Sequence, residues 1–188
     1  MTNIYFPMRL LFFLLLTYAP TSYSETLLEA GIHLGGSELI TQNYANGAKD
    51  SIKAGDLFSL SIGGMKSYTN NIEGQLSFGV KSDDVHSTDA DVTWVRYPLN
   101  SMVFYRGNTY RIGLGVTIHF SPNVKGTGVA SNISQRFQNS LGALLEFDYK
   151  INKSFFWGLR YTSIDYKPHA GGRHVNGDSI GLLIIALL

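Results

Sequence analysis

Hydrophobic and polar positions alternate along most of this chain with a period of two. Between Leu141 and Lys150, Leu141, Ala143, Leu145, Phe147 and Tyr149 fall on one face; Gly142, Leu144, Glu146, Asp148 and Lys150 fall on the other. After a polar turn at Asn152-Lys153 the alternation resumes. Phe155, Trp157, Leu159 and Tyr161 now oppose Phe156, Gly158, Arg160 and Thr162. Successive side chains of a β-strand point to opposite faces, so two such runs around a tight turn predict a hairpin. Strands of about ten residues with aromatics near the turn have the length needed to cross a bilayer.

The same period predicts six further strands. Leu28, Ala30, Ile32 and Leu34 alternate with Glu29, Gly31, His33 and Gly35; Phe58, Leu60 and Ile62 alternate with Ser59, Ser61 and Gly63. Ile72 to Lys81 is the third run, and the fourth starts near Val92 and passes through Trp94 to Tyr97, with a bend or bulge expected at Pro98, which cannot donate to a ladder. Ile112, Leu114, Val116, Ile118 and Phe120 oppose Gly113, Gly115, Thr117 and His119 in the fifth, and Ser179 to Leu188 is the eighth. Short turns are expected at Met65 to Asn71 and at Gly107-Asn108. Longer polar connections cover 36–55, with a turn signal at Asn46-Gly47, then 82–91, 121–138 and 167–178. Long connections thus follow strands one, three, five and seven, and short ones follow two, four and six. An even strand count with this rhythm predicts an all-β, eight-stranded antiparallel up-and-down barrel.

Which face points inward decides the medium. The apolar face is unbroken and uncharged. The other face is mostly Gly, Ser and Thr, with single charges of both signs, whereas a barrel in water would need an outer face dense in Lys and Glu. Eight strands enclose room for side chains and little else. The expectation is therefore a transmembrane barrel with an interior polar network of Glu29, His33, Glu73, Lys81, Arg96, His119, Glu146, Asp148 and Arg160. A soluble periplasmic barrel or sandwich is the alternative. Ahead of the strands, Arg9 precedes the apolar run Leu10 to Leu16; Pro20 breaks it, and Ser22 and Ser24 are small residues before Glu25. This reads as a signal peptide over 1–24, cut before a barrel domain over 25–188. No segment carries the apolar length of a transmembrane helix. Of the 188 residues 15% are charged, the net charge is +1 and there is no cysteine, so neither long-range recruitment of nucleic acid nor disulfide stapling is expected.

In its last hairpin, Arg160-Tyr161-Thr162-Ser163-Ile164-Asp165-Tyr166 followed by Gly177-Asp178-Ser179-Ile180-Gly181-Leu182, the chain resembles the small eight-stranded outer-membrane proteins of Gram-negative bacteria. These include the OmpX, opacity-protein and OmpW groups and, more distantly, the lipid A deacylase PagL. The resemblance covers the whole mature chain and rests on pattern. It implies residence in the bacterial outer membrane among lipids and lipopolysaccharide, insertion by the barrel-assembly machinery, and a monomer with a structural or surface-interaction role. Members usually end in Phe or Trp; this sequence ends Ala186-Leu187-Leu188.

Two other functions can be set against that role. The PagL family carries His-x-Ser-Asn late in the chain and a Glu on the next strand, the parts of a serine nucleophile activated by a histidine base. Here the matching stretch reads Ser163-Ile164-Asp165, without that base and nucleophile. His119 and Ser121 have the spacing on strand five, with Glu146 as the candidate carboxylate, and phase puts both on the inward face. A narrow small-solute channel is the other possibility, but inward charges more often form a packed ion-pair network. Asp83, Asp84, Asp89 and Asp91 in one connection, and His169 and His174 in another, lack metal-ligand spacing, so no metal is expected. No phosphate- or dinucleotide-binding fingerprint is present and no cofactor is expected. Lys125, Arg136, Lys167 and Arg173 fall in connections expected to meet lipopolysaccharide phosphates.

Overall fold

A computed structural model describes residues 24–43, 49–55, 57–86 and 91–188. Eight long strands follow one another in sequence: β1 (Ser24–Gly35), β2 (Leu57–Ser67), β3 (Ile72–His86), β4 (Asp91–Arg106), β5 (Tyr110–Gly126), β6 (Ser140–Lys150), β7 (Phe155–Tyr166) and β8 (Ser179–Leu187). Each pairs antiparallel with its neighbour, and β8 pairs with β1 from Leu27↔Leu187 to Gly35↔Ser179, which closes the sheet into a barrel. Closure leaves the eight-stranded barrel itself without a free edge among the described residues, as hydrocarbon demands of strands within it. Three short turns gather at one end, the turn end. The longer connections gather at the other, the loop end. The proposed leader lies outside the described residues, except that Ser24 already opens β1.

The facing follows the alternation. Leu114 is 69% exposed and Leu141 68%, whereas Glu146, Asp148 and Arg111 are 0% exposed. Ile32, Leu60, Ile62, Leu76, Phe78, Leu145, Leu159 and Leu182 join the outward wall. Leaving one such side chain in water forfeits about 1.5–3 kcal/mol relative to burying it. A continuous wall of them is at home only in an apolar medium.

Several strands outrun their sequence-read limits at the polar ends. β2 continues through Met65, which is buried, and the turn is confined to 68–71. The stretch expected as an acidic loop over 82–91 is largely ladder, with Ser82↔Val95, Asp83↔Trp94, Asp84↔Thr93 and Val85↔Val92 in register. Strand pairing needs only backbone groups, so it continues where both faces become polar and the hydrophobic alternation fades. The 36–55 connection holds a hairpin of Glu38–Asn43 and Lys49–Lys53; Asn46-Gly47 lies outside the described residues. The 121–138 connection begins as β5, which runs to Gly126, followed by a 3-10 turn at Gly128–Ala130 and a short strand, Ser134–Arg136, that folds back onto β5. Within 167–178, Val175–Asn176 pairs with the end of β7.

The irregularity expected at Pro98 sits on the neighbouring strand instead, opposite Arg96. Pro98 keeps register with His119, but Val95 faces Asn123 while Tyr97 faces Phe120. Two steps on β4 thus match three on β5, so the extra residue belongs to β5, at Ser121-Pro122. Ser121 takes a φ of +47°, rare for a residue with a side chain.

Candidate functional site

All nine residues of the expected interior network are buried. They form layers. Toward the turn end, Arg160 on β7 donates through both terminal nitrogens to Glu29 of β1, at 2.7 and 2.6 Å, and through Nε to Glu146, its register partner on β6. This fork-to-fork geometry matches a guanidinium to a carboxylate through two parallel hydrogen bonds. Arg111 is a second hub outside the expected strand, which was read from Ile112 although β5 starts two residues earlier, at Tyr110. Its Nε donates to Asp148 at 2.6 Å and a terminal nitrogen to Gln75 at 3.1 Å, while the other lies 3.7 Å from Glu73. Its guanidinium sits 4.2 Å from the Phe104 ring centre and 4.8 Å from that of Phe156. Extending the period-two phase from Gly113 back to residue 111 would have found it. Arg106 closes the layer with a 2.6 Å bond to Glu73 at the turn end.

Two glycines make room for these groups. A Cβ on Gly158 would strike the Asp148 carboxylate, and one on Gly181 the His33 ring. The small residues noted on the inward face are the spaces into which the large ones fit.

In the middle layer, His33 Nε2 lies 2.8 Å from Ser59 Oγ, His119 Nδ1 lies 2.7 Å from Tyr166 Oη, and Lys81 donates to Ser179 at 3.3 Å. Thr117 donates to Asn100 at 2.7 Å. The cavity left among Glu29, His33, Lys81, His119 and Arg160 is about 20 Å³, room for a single water.

An apolar cap lies toward the loop end, and sequence reasoning missed it. Trp94 packs edge-on against Phe137 (5.1 Å between centres) and Tyr166 (5.3 Å). Ile52 and Ala54 from the first connection join this cluster, and Trp94 Nε1 donates to the Ala54 carbonyl at 3.2 Å. The phase of Trp94 with Arg96 was visible in the sequence, but nothing there marked which loop residues would meet it. Asp83 was likewise missed; it points inward and is buried while Asp84 points outward, because the strand carries them. Asp89 lies outside the described residues, and among the described residues no three His, Asp or Glu side chains come together to hold a metal.

His119 and Ser121 do not share a face. His119 is buried beside Tyr166, whereas Ser121 is exposed. The extra residue on β5 shifts the phase by one, so Pro122 and Val124 turn inward while Ser121 and Asn123 turn outward. Glu146 is bound to Arg160, in the layer below His119.

Outside the barrel wall, at that irregularity, lies a cavity of about 440 Å³ lined by Ser121, Pro122, Asn123, Arg136, Phe137, Asn139 and His169. The Ser121 amide donates to Asn139 Oδ1 at 3.0 Å, and Asn123 Nδ2 donates to the Ser121 carbonyl at 2.9 Å. The His169 amide bonds the Arg136 carbonyl at 3.0 Å, tying the last connection to the short strand.

No protein-family model and no curated protein matches the sequence. Solved structures do match the fold. Ail, the attachment invasion locus protein of Yersinia pestis, aligns with a TM-score of 0.55 at 10% identity over 89% of this chain and 99% of its own. Neisserial surface protein A gives 0.51 at 13% identity, over 89% and 99%. The outer membrane protein OprG from Pseudomonas aeruginosa gives 0.50 at 18% identity, over 90% and 98%. The chain has the closed eight-stranded antiparallel fold of these small outer-membrane barrels.

Proposed function

We propose that this protein is an integral outer-membrane barrel of a Gram-negative bacterium, exported with a cleaved leader. In this reading the barrel anchors it and the loop end presents a surface for interaction outside the cell. The observation that carries the reading is the pairing of an apolar outer wall with a filled lumen. The wall calls for acyl chains around it. Among the described residues, the Arg160 and Arg111 layers and the Trp94 cap fill the lumen, and the cavity between them is about 20 Å³, which disfavours passage of a solute. A surface role is further supported by the match to an attachment protein. Contacts with lipopolysaccharide phosphates through Lys125, Arg136, Lys167 and Arg173 belong to the same reading. The channel reading is disfavoured by the side chains that fill the lumen among the described residues, and the deacylase reading finds its base and nucleophile on opposite faces of the wall.

Fractionation of expressing cells, a heat-dependent shift in gel mobility and planar-bilayer recording test the proposal. Recovery with outer membranes, a folded band that shifts on boiling and no unitary conductance are expected. Recovery in the soluble periplasmic fraction overturns the membrane reading, and steady single-channel currents overturn the anchor reading.

A further inference from the structure

The rim cavity has the chemistry of an anion site. Its seven lining residues include an arginine, a histidine, two asparagines and a serine, and no carboxylate. Arg136 and His169 are exposed, and among the described residues no carboxylate or ring engages the Arg136 guanidinium. Asn139 spends its carbonyl oxygen on the Ser121 amide, which leaves its NH2 group to donate. The Ser121 hydroxyl is a further donor on the same wall. A guanidinium fork with neutral donors around it suits a phosphate group, whose oxygens accept several bonds at once. Phe137 and Pro122, both buried, supply an apolar floor.

Two further observations single out this place. The positive φ of Ser121 interrupts a strand of 17 residues. Backbone strain and bulges gather beside functional sites, where they re-aim side chains; here the irregularity turns Ser121 and Asn123 out of the lumen and into the cavity wall. The second observation is depth. Phe120 and Leu141 belong to the outward wall immediately below, and Ser121 and Asn139 are one and two residues further toward the loop end. At about 3.3 Å per residue, the cavity starts where the apolar wall stops, which is the headgroup level if that wall is in acyl chains.

We infer that this cavity binds a phosphate monoester group, as carried by the phosphorylated sugar headgroup of an outer-leaflet glycolipid. The phosphate chemistry rests on the cavity alone; the glycolipid as its source rests on the outer-membrane reading. A volume of about 440 Å³ admits a phosphate with part of its sugar.

Calorimetric titration of the full-length barrel in neutral detergent micelles tests the inference. Three probes are needed: lipopolysaccharide, the same material after phosphatase treatment, and inorganic phosphate. Untreated lipopolysaccharide should bind at least tenfold more tightly than the treated form. Arg136→Gln combined with His169→Gln should lower that affinity at least tenfold, while Lys153→Gln at the turn end should leave it within twofold. Heat-dependent gel mobility confirms that each variant is folded. Inorganic phosphate binding that is lost in the double variant, without any preference between the two lipopolysaccharides, supports the phosphate site and assigns its source to free phosphate. If cell fractionation fails to recover the protein with outer membranes, the glycolipid source falls, and the inorganic phosphate arm still decides the site. Undiminished binding in the double variant, or no phosphate-dependent binding of any probe, overturns the inference.

Discussion

Arg160 holds two carboxylates from different strands, one of them 131 residues away in sequence. Its removal leaves Glu29 and Glu146 facing each other in a closed interior. Breaking a buried ion pair from one side costs about 3–5 kcal/mol, mostly because the orphaned charge remains buried. Arg160→Met is therefore expected to lower unfolding stability in lipid vesicles by about that amount, as read by urea titration. Asp178, between β7 and β8, is a gentler case. Burial acts to raise its pKa, but hydrogen bonds from the Asn176 side chain, the Ile164 amide, Ser163 and Tyr161 outweigh this and hold it below the usual carboxylate value. A carboxylate with a lowered folded pKa adds stability above its unfolded value, about 3.9, and loses it as pH falls through the lowered one. Asp178→Asn should accordingly narrow the stability difference between pH 7 and pH 3 in parallel melts. An equal pH dependence in both proteins would refute that assignment.

Among the elements, β5 is the one whose geometry departs from its pattern. Its first half follows the alternation read from Ile112 to His119, and its second half is out of phase by one residue. The bend expected at Pro98 fell instead at Ser121-Pro122, opposite Arg96 and next to the Tyr97↔Phe120 pair. A proline on each strand removes two donors from the ladder, and the irregularity settled where a second constraint coincided, the return of Ser134–Arg136 onto β5. A β-branched residue tolerates positive φ poorly, so Ser121→Val should lower stability by about 1–3 kcal/mol in the same urea assay. Stability equal to the parent would mean that the backbone relaxes freely there.

For the whole molecule the question is what surrounds the wall. Leu114 and Leu145 are register partners in the middle of the β5–β6 ladder, both facing out. Arginine at the midplane of a bilayer-embedded barrel costs about 2–4 kcal/mol. Leu114→Arg is expected to lose that much stability in lipid vesicles. A barrel standing in water would tolerate or welcome the same change, so a neutral result there counts against membrane insertion. Inside that wall the lumen is occupied by charged and polar side chains, with Arg160 and Arg111 each holding carboxylates from other strands.

The alternating period, read alone, determined the eight barrel strands, their facing, their antiparallel order and nine of the twenty polar residues buried among the described residues. It could do so because strand geometry forces alternate side chains to opposite faces, and the apolar face admits no charge. Tertiary structure decided the rest. How far β3, β4 and β5 extend past the apolar band depends on backbone pairing, which leaves no mark on side-chain polarity. The assignment of Arg160 to Glu29 and of Arg111 to Asp148 depends on barrel closure and stagger. The cap of Ile52, Ala54, Trp94 and Phe137 arises because distant connections meet over one mouth, and the rim cavity exists because one extra residue on β5 turned a serine outward.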